Sequence, residues 1–170
     1  NNPTFKALAE NKNTVDEIYN FVVNHLEYSF ETLGNNQRKG ALQAYQTKTG
    51  VCTEFSDLFV TLARASGIPA RELQGFAFTE TKEIISLSAD NDVLHSWVEY
   101  WDSQKEQWVP VDPTWAKTTD GLDFIKDFDL GHFVFVTHGI SSTKPIPPGY
   151  YKTDSRQKNV QVDFANKILD

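Results

Sequence analysis

Cysteine is the scarcest reactive residue in this chain, which has a single one, Cys52, and no methionine. A lone cysteine excludes a disulfide within the chain. The four histidines (His25, His95, His132 and His138) lack the HExxH and paired-cysteine spacings that are typical of zinc sites. We therefore expect neither a metal nor another cofactor.

Basic clusters and long apolar runs are also absent. The 16 lysine and arginine residues are outnumbered by 23 aspartate and glutamate residues, which gives a net charge of -7. This balance makes nucleic acid and anionic membranes poor partners. No apolar run reaches the length of about 18 residues that indicates a membrane-spanning helix.

The composition is that of a folded protein. Hydrophobic residues make up 39% and aromatic residues 13% of the 170 residues, which is too apolar for a disordered chain. This length fits one domain, and we expect a single domain over residues 1–170 without internal repeats. Because no methionine stands at the start, we expect the domain to come from a longer protein, exported or at the cell surface.

Apolar spacing divides the chain into a helical first part and a later part with strands. Three helices are predicted, over Thr14–Tyr28, over Ala41–Gln46, and from Cys52 to the stop signal Gly67-Ile68-Pro69. Five strands are predicted, at Leu73–Phe78, His95–Trp101, Gln107–Asp112, Phe133–Thr137 and Val160–Phe164. Helices followed by antiparallel strands are typical of the α+β class.

Cys52 begins the third predicted helix, in the stretch GVCTEF. A free cysteine is most often a buried packing residue. At a helix N-terminus, however, the helix dipole can lower the thiol pKa below its free value of about 8.5. The second interpretation, a nucleophile, requires a nearby base and a group that orients this base.

The segments HSWVEYW and QWVPVD predict a hairpin that can supply both groups. In the simplest register residues 102–105 close the turn, Trp101 pairs with Glu106, and His95 pairs with Asp112. A slip by one residue would place His95 and Asp112 on opposite faces of the sheet. His132 competes with His95 as a base, but no simple register gives it a carboxylate, and we interpret it as structural or supporting.

These residues also carry a family resemblance. The runs GVCTEFSDLFVTLARASGIPAR, HSWVEYW and WVPVDPTW, which cover about residues 41–116, resemble the transglutaminase-like superfamily. The resemblance implies a papain-type core in which the nucleophile helix packs on an antiparallel sheet. It also implies that Cys52 is the nucleophile, His95 the general base and acid, and Asp112 the group that orients His95. The chain is too short for the large calcium-regulated architecture of animal cross-linking enzymes.

Further site residues are predicted less directly. By analogy with papain-like enzymes, Gln46 is a candidate second oxyanion donor beside the nucleophile's backbone N–H, and its neighbour Tyr45 is the alternative. Trp97, Trp108 and Trp115 are candidates to line a substrate groove, with Trp97 and Trp115 preferred. The alternative for all three is ordinary core packing.

The resemblance leaves three functions open. The first is a cysteine peptidase or amidase that hydrolyses an amide bond in a protein or peptide through a thioester intermediate. The second is a protein-glutamine transglutaminase, which transfers the acyl group to an amine. The third is a non-catalytic module of a larger surface protein that binds peptide or glycan. We favour hydrolysis, because water is always available and the sequence indicates no amine site.

Overall fold

Helices precede most of the strands along the chain. In the computed structural model, which describes residues 2–29, 38–77, 94–119, 123–128 and 131–138, the helices are α1 (Pro3–Ala9), α2 (Val15–His25), α3 (Gly40–Thr47), α4 (Cys52–Ala65) and α5 (Pro113–Thr118). The strands are β1 (Glu27–Tyr28), β2 (Thr49–Gly50), β3 (Ala70–Ala77), β4 (Leu94–Asp102), β5 (Gln107–Val111) and β6 (His132–Thr137). The α+β class is confirmed.

The strands form one main sheet and one short pair. The main sheet is antiparallel with the order β5-β4-β3-β6, so that its two edges are β5 and β6. Strands β1 and β2 pair in parallel just before α4. The predicted strand Val160–Phe164 lies outside the described residues.

Helix α2 begins where the sequence predicts but ends earlier. Thr14 and Glu17 form a capping box, in which Glu17 N donates to Thr14 Oγ1 (3.2 Å) and Thr14 N donates to Glu17 Oε2 (3.0 Å). The helix ends at His25 rather than at Tyr28, because Leu26 is extended (φ -98°, ψ 141°). Tyr28 belongs instead to β1.

Helix α4 packs its apolar face into the core. Phe55, Leu58, Phe59 and Leu62 have no exposed surface, and burial of each such side chain stabilises the fold by about 1.5–3 kcal/mol. They share a core with Val98 of β4. This packing fixes the first turn of α4 relative to the sheet.

The β4–β5 hairpin is shifted from the predicted register by two residues. Trp101 pairs with Trp108 and Asp102 with Gln107, so the turn is 103–106. Two features favour this turn: Asp102 Oδ1 accepts from Gln104 N (2.9 Å) and from Lys105 N (3.1 Å), and Glu106 is left-handed (φ 52°). The predicted pairing of His95 with Asp112 was wrong, but an even shift leaves every side chain on its predicted face.

Strand β6 joins the sheet beside β3 through a bulge. The register shifts between Gln74 and Gly75. A Cβ at Gly75 would lie 1.9 Å from the Phe133 carbonyl oxygen, so only glycine permits this approach. The bulge sets the position of His132, the first residue of β6. No helix in the described part of the chain combines the length and apolar character of a membrane-spanning segment.

Candidate active site

The start of α4 is held by one buried carboxylate. Glu54 accepts hydrogen bonds from Val51 N (3.1 Å) and Lys39 N (2.9 Å). The first of these satisfies a backbone donor at the helix start. A Cβ at Gly50 would lie 2.3 Å from Glu54 Cβ, so glycine lets β2 pass over this carboxylate. Cys52 is thereby fixed as the first residue of α4, as predicted.

The Cys52 thiol lies in a pocket that disfavours its charge. Cys52 is buried, and burial, together with the nearby Asp112, Glu54 and Glu72 carboxylates, raises its pKa to about 12. The Ser96 backbone N–H acts in the opposite direction and lowers the pKa of the thiol. The direction of this shift is opposite to the lowered pKa that the helix position suggests. Ionisation requires a base that takes the proton.

His95 and Asp112 are joined directly. His95 Nε2 lies 2.6 Å from Asp112 Oδ2, and the two residues are 7% and 0% exposed. An ionised carboxylate only accepts hydrogen bonds, so Nε2 carries the proton. The other ring nitrogen, Nδ1, is then the basic atom. His95 also precedes Ser96, whose backbone N–H lowers the pKa of Cys52.

Asp112 both caps helix α5 and hydrogen-bonds His95. Its Oδ1 atom accepts from Thr114 N (2.9 Å) and Trp115 N (3.1 Å), which makes Asp112 the N-cap of α5. Burial alone would raise the pKa of Asp112. The His95 charge and the hydrogen bonds from His132 and His95 outweigh burial and hold the pKa well below its usual range. The carboxylate therefore remains ionised over the whole physiological pH range.

Two tryptophans hold the His95 ring in place. The rings of Trp97 and Trp115 stack on His95, with centroids 5.9 Å and 5.2 Å away. Both are buried, at 1% and 5% exposure, so they act as packing beside the site. Trp108 lies elsewhere, under the Arg71 guanidinium, 4.0 Å from the ring centroid. Groove lining by Trp97 and Trp115 stays a prediction.

His132 is the site residue that sequence reasoning undervalued. Its Nε2 lies 3.2 Å from Asp112 Oδ2, the same oxygen that His95 contacts. The only sequence signal was its place directly before the predicted strand Phe133–Thr137, because the pairing of β6 with β3 joins segments about sixty residues apart. The structure gives His132 the carboxylate that no simple hairpin register supplied.

The ligand-type atoms of His95, Asp112 and His132 lie within 4.8 Å of one another. Such a set resembles a two-histidine, one-carboxylate metal centre. Both nitrogens, however, converge on one carboxylate oxygen, at 2.6 and 3.2 Å. These are hydrogen-bond distances, and we interpret the cluster as a hydrogen-bonded triad.

Comparison with known families identifies the family of this chain. The model of the transglutaminase-like superfamily matches residues 2–113, a range that includes Cys52, His95 and Asp112. The chain belongs to the transglutaminase-like superfamily. The matched range ends before His132.

This transglutaminase-like chain is similar in sequence to one named enzyme and similar in fold to two solved structures. It is 37% identical over 86 residues to the protein-glutamine gamma-glutamyltransferase of Pseudomonas aeruginosa. The matched stretch covers 46% of this chain and 12% of that enzyme. A candidate cysteine protease from Cytophaga hutchinsonii has a similar fold, with a TM-score of 0.53 and 20% identity over 88% of this chain and 54% of that one. The periplasmic domain of TgpA from Pseudomonas aeruginosa, bound to ethylmercury, has a TM-score of 0.50 and 24% identity over 69% of this chain and 46% of that one.

A polar network centred on Arg38 and Glu72 links α4 to the sheet next to the transglutaminase-like site. Arg38 donates to both Asp57 oxygens (2.7 and 2.5 Å) and to Glu72 Oε2 (3.0 Å). The other Glu72 oxygen accepts from Ser96 Oγ (2.6 Å), which also lies 3.1 Å from Ser56 Oγ. This network ties α4 to β4 one turn after Cys52.

The proposed oxyanion donors lie on α3. Gln46 is exposed near the end of this helix. Tyr45 is half-buried, and its ring stacks on His25 with centroids 4.8 Å apart. Neither position provides a contact that supports an oxyanion role, so the assignment of Gln46 stays a prediction.

Proposed function

We propose that this chain is a cysteine-dependent acyl-transfer enzyme that acts on amide bonds of proteins or peptides. Its catalytic residues are Cys52, His95 and Asp112. The observation that carries the proposal is the 2.6 Å hydrogen bond between His95 and Asp112. Ser96, the neighbour of His95, also hydrogen-bonds Ser56 of α4, one turn after Cys52, with 3.1 Å between the two hydroxyl oxygens. The fold neighbour from Cytophaga hutchinsonii, which is described as a candidate cysteine protease, supports the proposal.

The reaction begins with proton transfer. Because burial keeps the thiol protonated, with a pKa of about 12, His95 Nδ1 takes the Cys52 proton as the sulfur attacks the amide carbonyl. A carbon–sulfur bond forms and the carbonyl oxygen becomes an oxyanion. The Cys52 backbone N–H at the helix start is the natural donor to this oxyanion, with Gln46 as a possible second donor.

The second half releases the amine. The His95 imidazolium, stabilised by ionised Asp112, gives its proton to the leaving nitrogen as the carbon–nitrogen bond breaks. A thioester on Cys52 remains. Water then yields a carboxylic acid, or an acceptor amine yields a new amide, and the thiol is regenerated in both cases.

We favour hydrolysis, which agrees with the description of the Cytophaga hutchinsonii neighbour. Transglutaminase activity is the second candidate, and the name of the Pseudomonas aeruginosa relative favours it. The periplasmic neighbour supports an exported location within a larger protein, in which residues 1–170 form one domain. A non-catalytic binding module is the third candidate.

One experiment separates these candidates. The protein is incubated with glutamine-containing and other peptide amides, with and without an excess of a primary amine, and intact mass is recorded over time. A mass increase equal to the acyl group, absent in Cys52→Ala, supports the thioester. Free acid indicates hydrolysis, and an amine-bearing product indicates transfer. No acyl-enzyme and no product with any amide would favour the binding module.

A further inference from the structure

Asp112 Oδ2 accepts hydrogen bonds from two imidazoles, which belong to two different strands. His95 Nε2 from β4 lies 2.6 Å from this oxygen and His132 Nε2 from β6 lies 3.2 Å from it. The other oxygen, Oδ1, is occupied by two backbone N–H groups of α5. Because the carboxyl group is planar, the backbone bonds to Oδ1 and the two histidine bonds to Oδ2 together hold it in one orientation.

Aromatic side chains hold His132 in position. Its side chain is 1% exposed, and rings surround it at centroid distances of 4.4 Å (Phe128), 4.6 Å (Trp115) and 4.9 Å (Trp97). Trp97 and Trp115 also stack on His95. The two imidazoles are therefore parts of one packed unit around a single carboxylate.

We propose that His132 is a positioning residue that acts through Asp112. Its Nε2–H fixes the direction of Oδ2 toward His95 and shares the negative charge of this oxygen. The inference rests on the proposed function, because it assigns to His95 the role of the base. His132 lies beyond the range that matches the family model and does not contact the thiol in this role.

The sharing of negative charge at Oδ2 sets the direction of the effect on His95. A carboxylate that loses one donor keeps more negative charge for its remaining partner and binds a cationic imidazole more tightly. Loss of His132 should therefore hold the transferred proton on His95 more firmly, so that His95 returns it to the leaving nitrogen more slowly. Other titratable groups near the Asp112 carboxylate and the Cys52 thiol are unchanged by this substitution: Tyr19 of α2, Tyr28 of β1, Glu54 of α4 and Glu72 of β3.

Two variants separate the hydrogen bond from packing. His132→Gln keeps an N–H donor near the Nε2 position, whereas His132→Phe keeps an aromatic ring and removes the donor. Val134→Thr is the control on the same strand, since Val134 is 48% exposed. The first measurement is the rate of Cys52 alkylation by iodoacetamide from about pH 4 to about pH 10.

In His132→Phe the lower inflection of this profile should move to higher pH, and acyl-enzyme formation should fall at least about tenfold. His132→Gln should recover most of both effects. In an Asp112→Asn background His132→Phe should have little further effect, because the positioned carboxylate is already gone. Equal losses in the Gln and Phe variants with an unshifted profile would overturn the proposal and leave a structural role.

A second measurement uses the wild-type protein alone and needs no substrate. With ¹⁵N-labelled histidine, NMR of the wild-type protein should find a proton on Nε2 of both His95 and His132. A His132 ring protonated only at Nδ1 would overturn the inference. An inert Cys52 that forms no acyl-enzyme would instead contradict the proposed function, while this NMR result would still decide the bond to Asp112.

Discussion

His95 and Asp112 are bonded although they are not cross-strand partners. The last paired residue of β5 is Val111, opposite Val98, and Asp112 lies one residue beyond it, where the chain turns into α5. The N-cap geometry there aims Oδ2 back along β4 to His95, at 2.6 Å. The same residue thus starts a helix and orients an imidazole.

This double role can be separated by two substitutions of Asp112. Asp112→Asn should retain helix capping, because asparagine is as good an N-cap as aspartate. It should nevertheless lower kcat by roughly a hundredfold or more, since an amide does not stabilise the His95 imidazolium. Asp112→Ala should lose the same activity and should be less stable than Asp112→Asn by about 0.5–2 kcal/mol, because it also lacks the helix cap.

The measurements are acyl-enzyme formation rates and urea unfolding of both variants. Circular dichroism of Asp112→Asn serves as the control for an intact fold. Less than a threefold change in rate for Asp112→Asn would mean that Asp112 is a capping residue alone.

The reactivity of Cys52 should depend on His95. Because burial raises the pKa of Cys52 to about 12, a thiol without its base should stay protonated at neutral pH and react slowly. In His95→Gln we therefore expect iodoacetamide to label Cys52 appreciably only above about pH 9. The wild-type protein should react at least about tenfold faster at pH 7, with labelling followed by intact mass.

His25→Gln is the matched control, because His25 lies away from the site and contacts Tyr45 O at 2.8 Å. Its labelling profile should equal that of the wild type. If His95→Gln also had the wild-type profile, His95 would not be the base for Cys52.

Local signals account for much of the architecture. Helical spacing placed Cys52 at the first residue of α4, and alternation placed β3 to β6 within a few residues of their observed bounds. Two short helices were missed although their signals were present. Asn2-Pro3 and Asp112-Pro113 each place an N-cap residue before a proline at the first helical position.

Long-range pairing accounts for what could not be predicted. The contact of His132 with Asp112 depends on β6 pairing with β3, which no local period encodes. The hairpin register depended on Asp102 and Glu106, whose turn conformation differs from the simplest loop. The raised pKa of Cys52 follows from burial and from carboxylates contributed by several elements, among them Glu72 of β3.

The buried Arg38 network should be important for stability. The Arg38 side chain is 10% exposed and pairs with Asp57 and Glu72. Arg38→Gln would leave the buried Glu72 carboxylate and the half-buried Asp57 carboxylate without their cation, so we expect a loss of about 3 kcal/mol in unfolding free energy.

Lys117→Gln provides the comparison for Arg38→Gln. Lys117 pairs with Glu27 at 2.8 Å, but the Glu27 side chain is 69% exposed. Such a surface pair contributes about 0–1 kcal/mol. Urea unfolding at neutral pH measures both variants, and similar losses in the two would contradict a structural role of the network.

Acid should destabilise the protein partly through Asp112. Its pKa is held well below the usual aspartate range by His95 and His132, which outweigh burial. The unfolded chain therefore takes up a proton on this group at a higher pH than the folded chain. The resulting stabilisation is fully present above about pH 4, the ordinary aspartate pKa, and is lost as the pH falls toward the folded value. In Asp112→Asn this contribution is absent.

Urea unfolding of wild type and Asp112→Asn at a series of pH values measures this contribution. The difference between their unfolding free energies should be largest near neutral pH and should shrink steadily below about pH 4. A difference that stays constant down to the lowest pH at which both proteins fold would mean that the Asp112 charge is not coupled to folding.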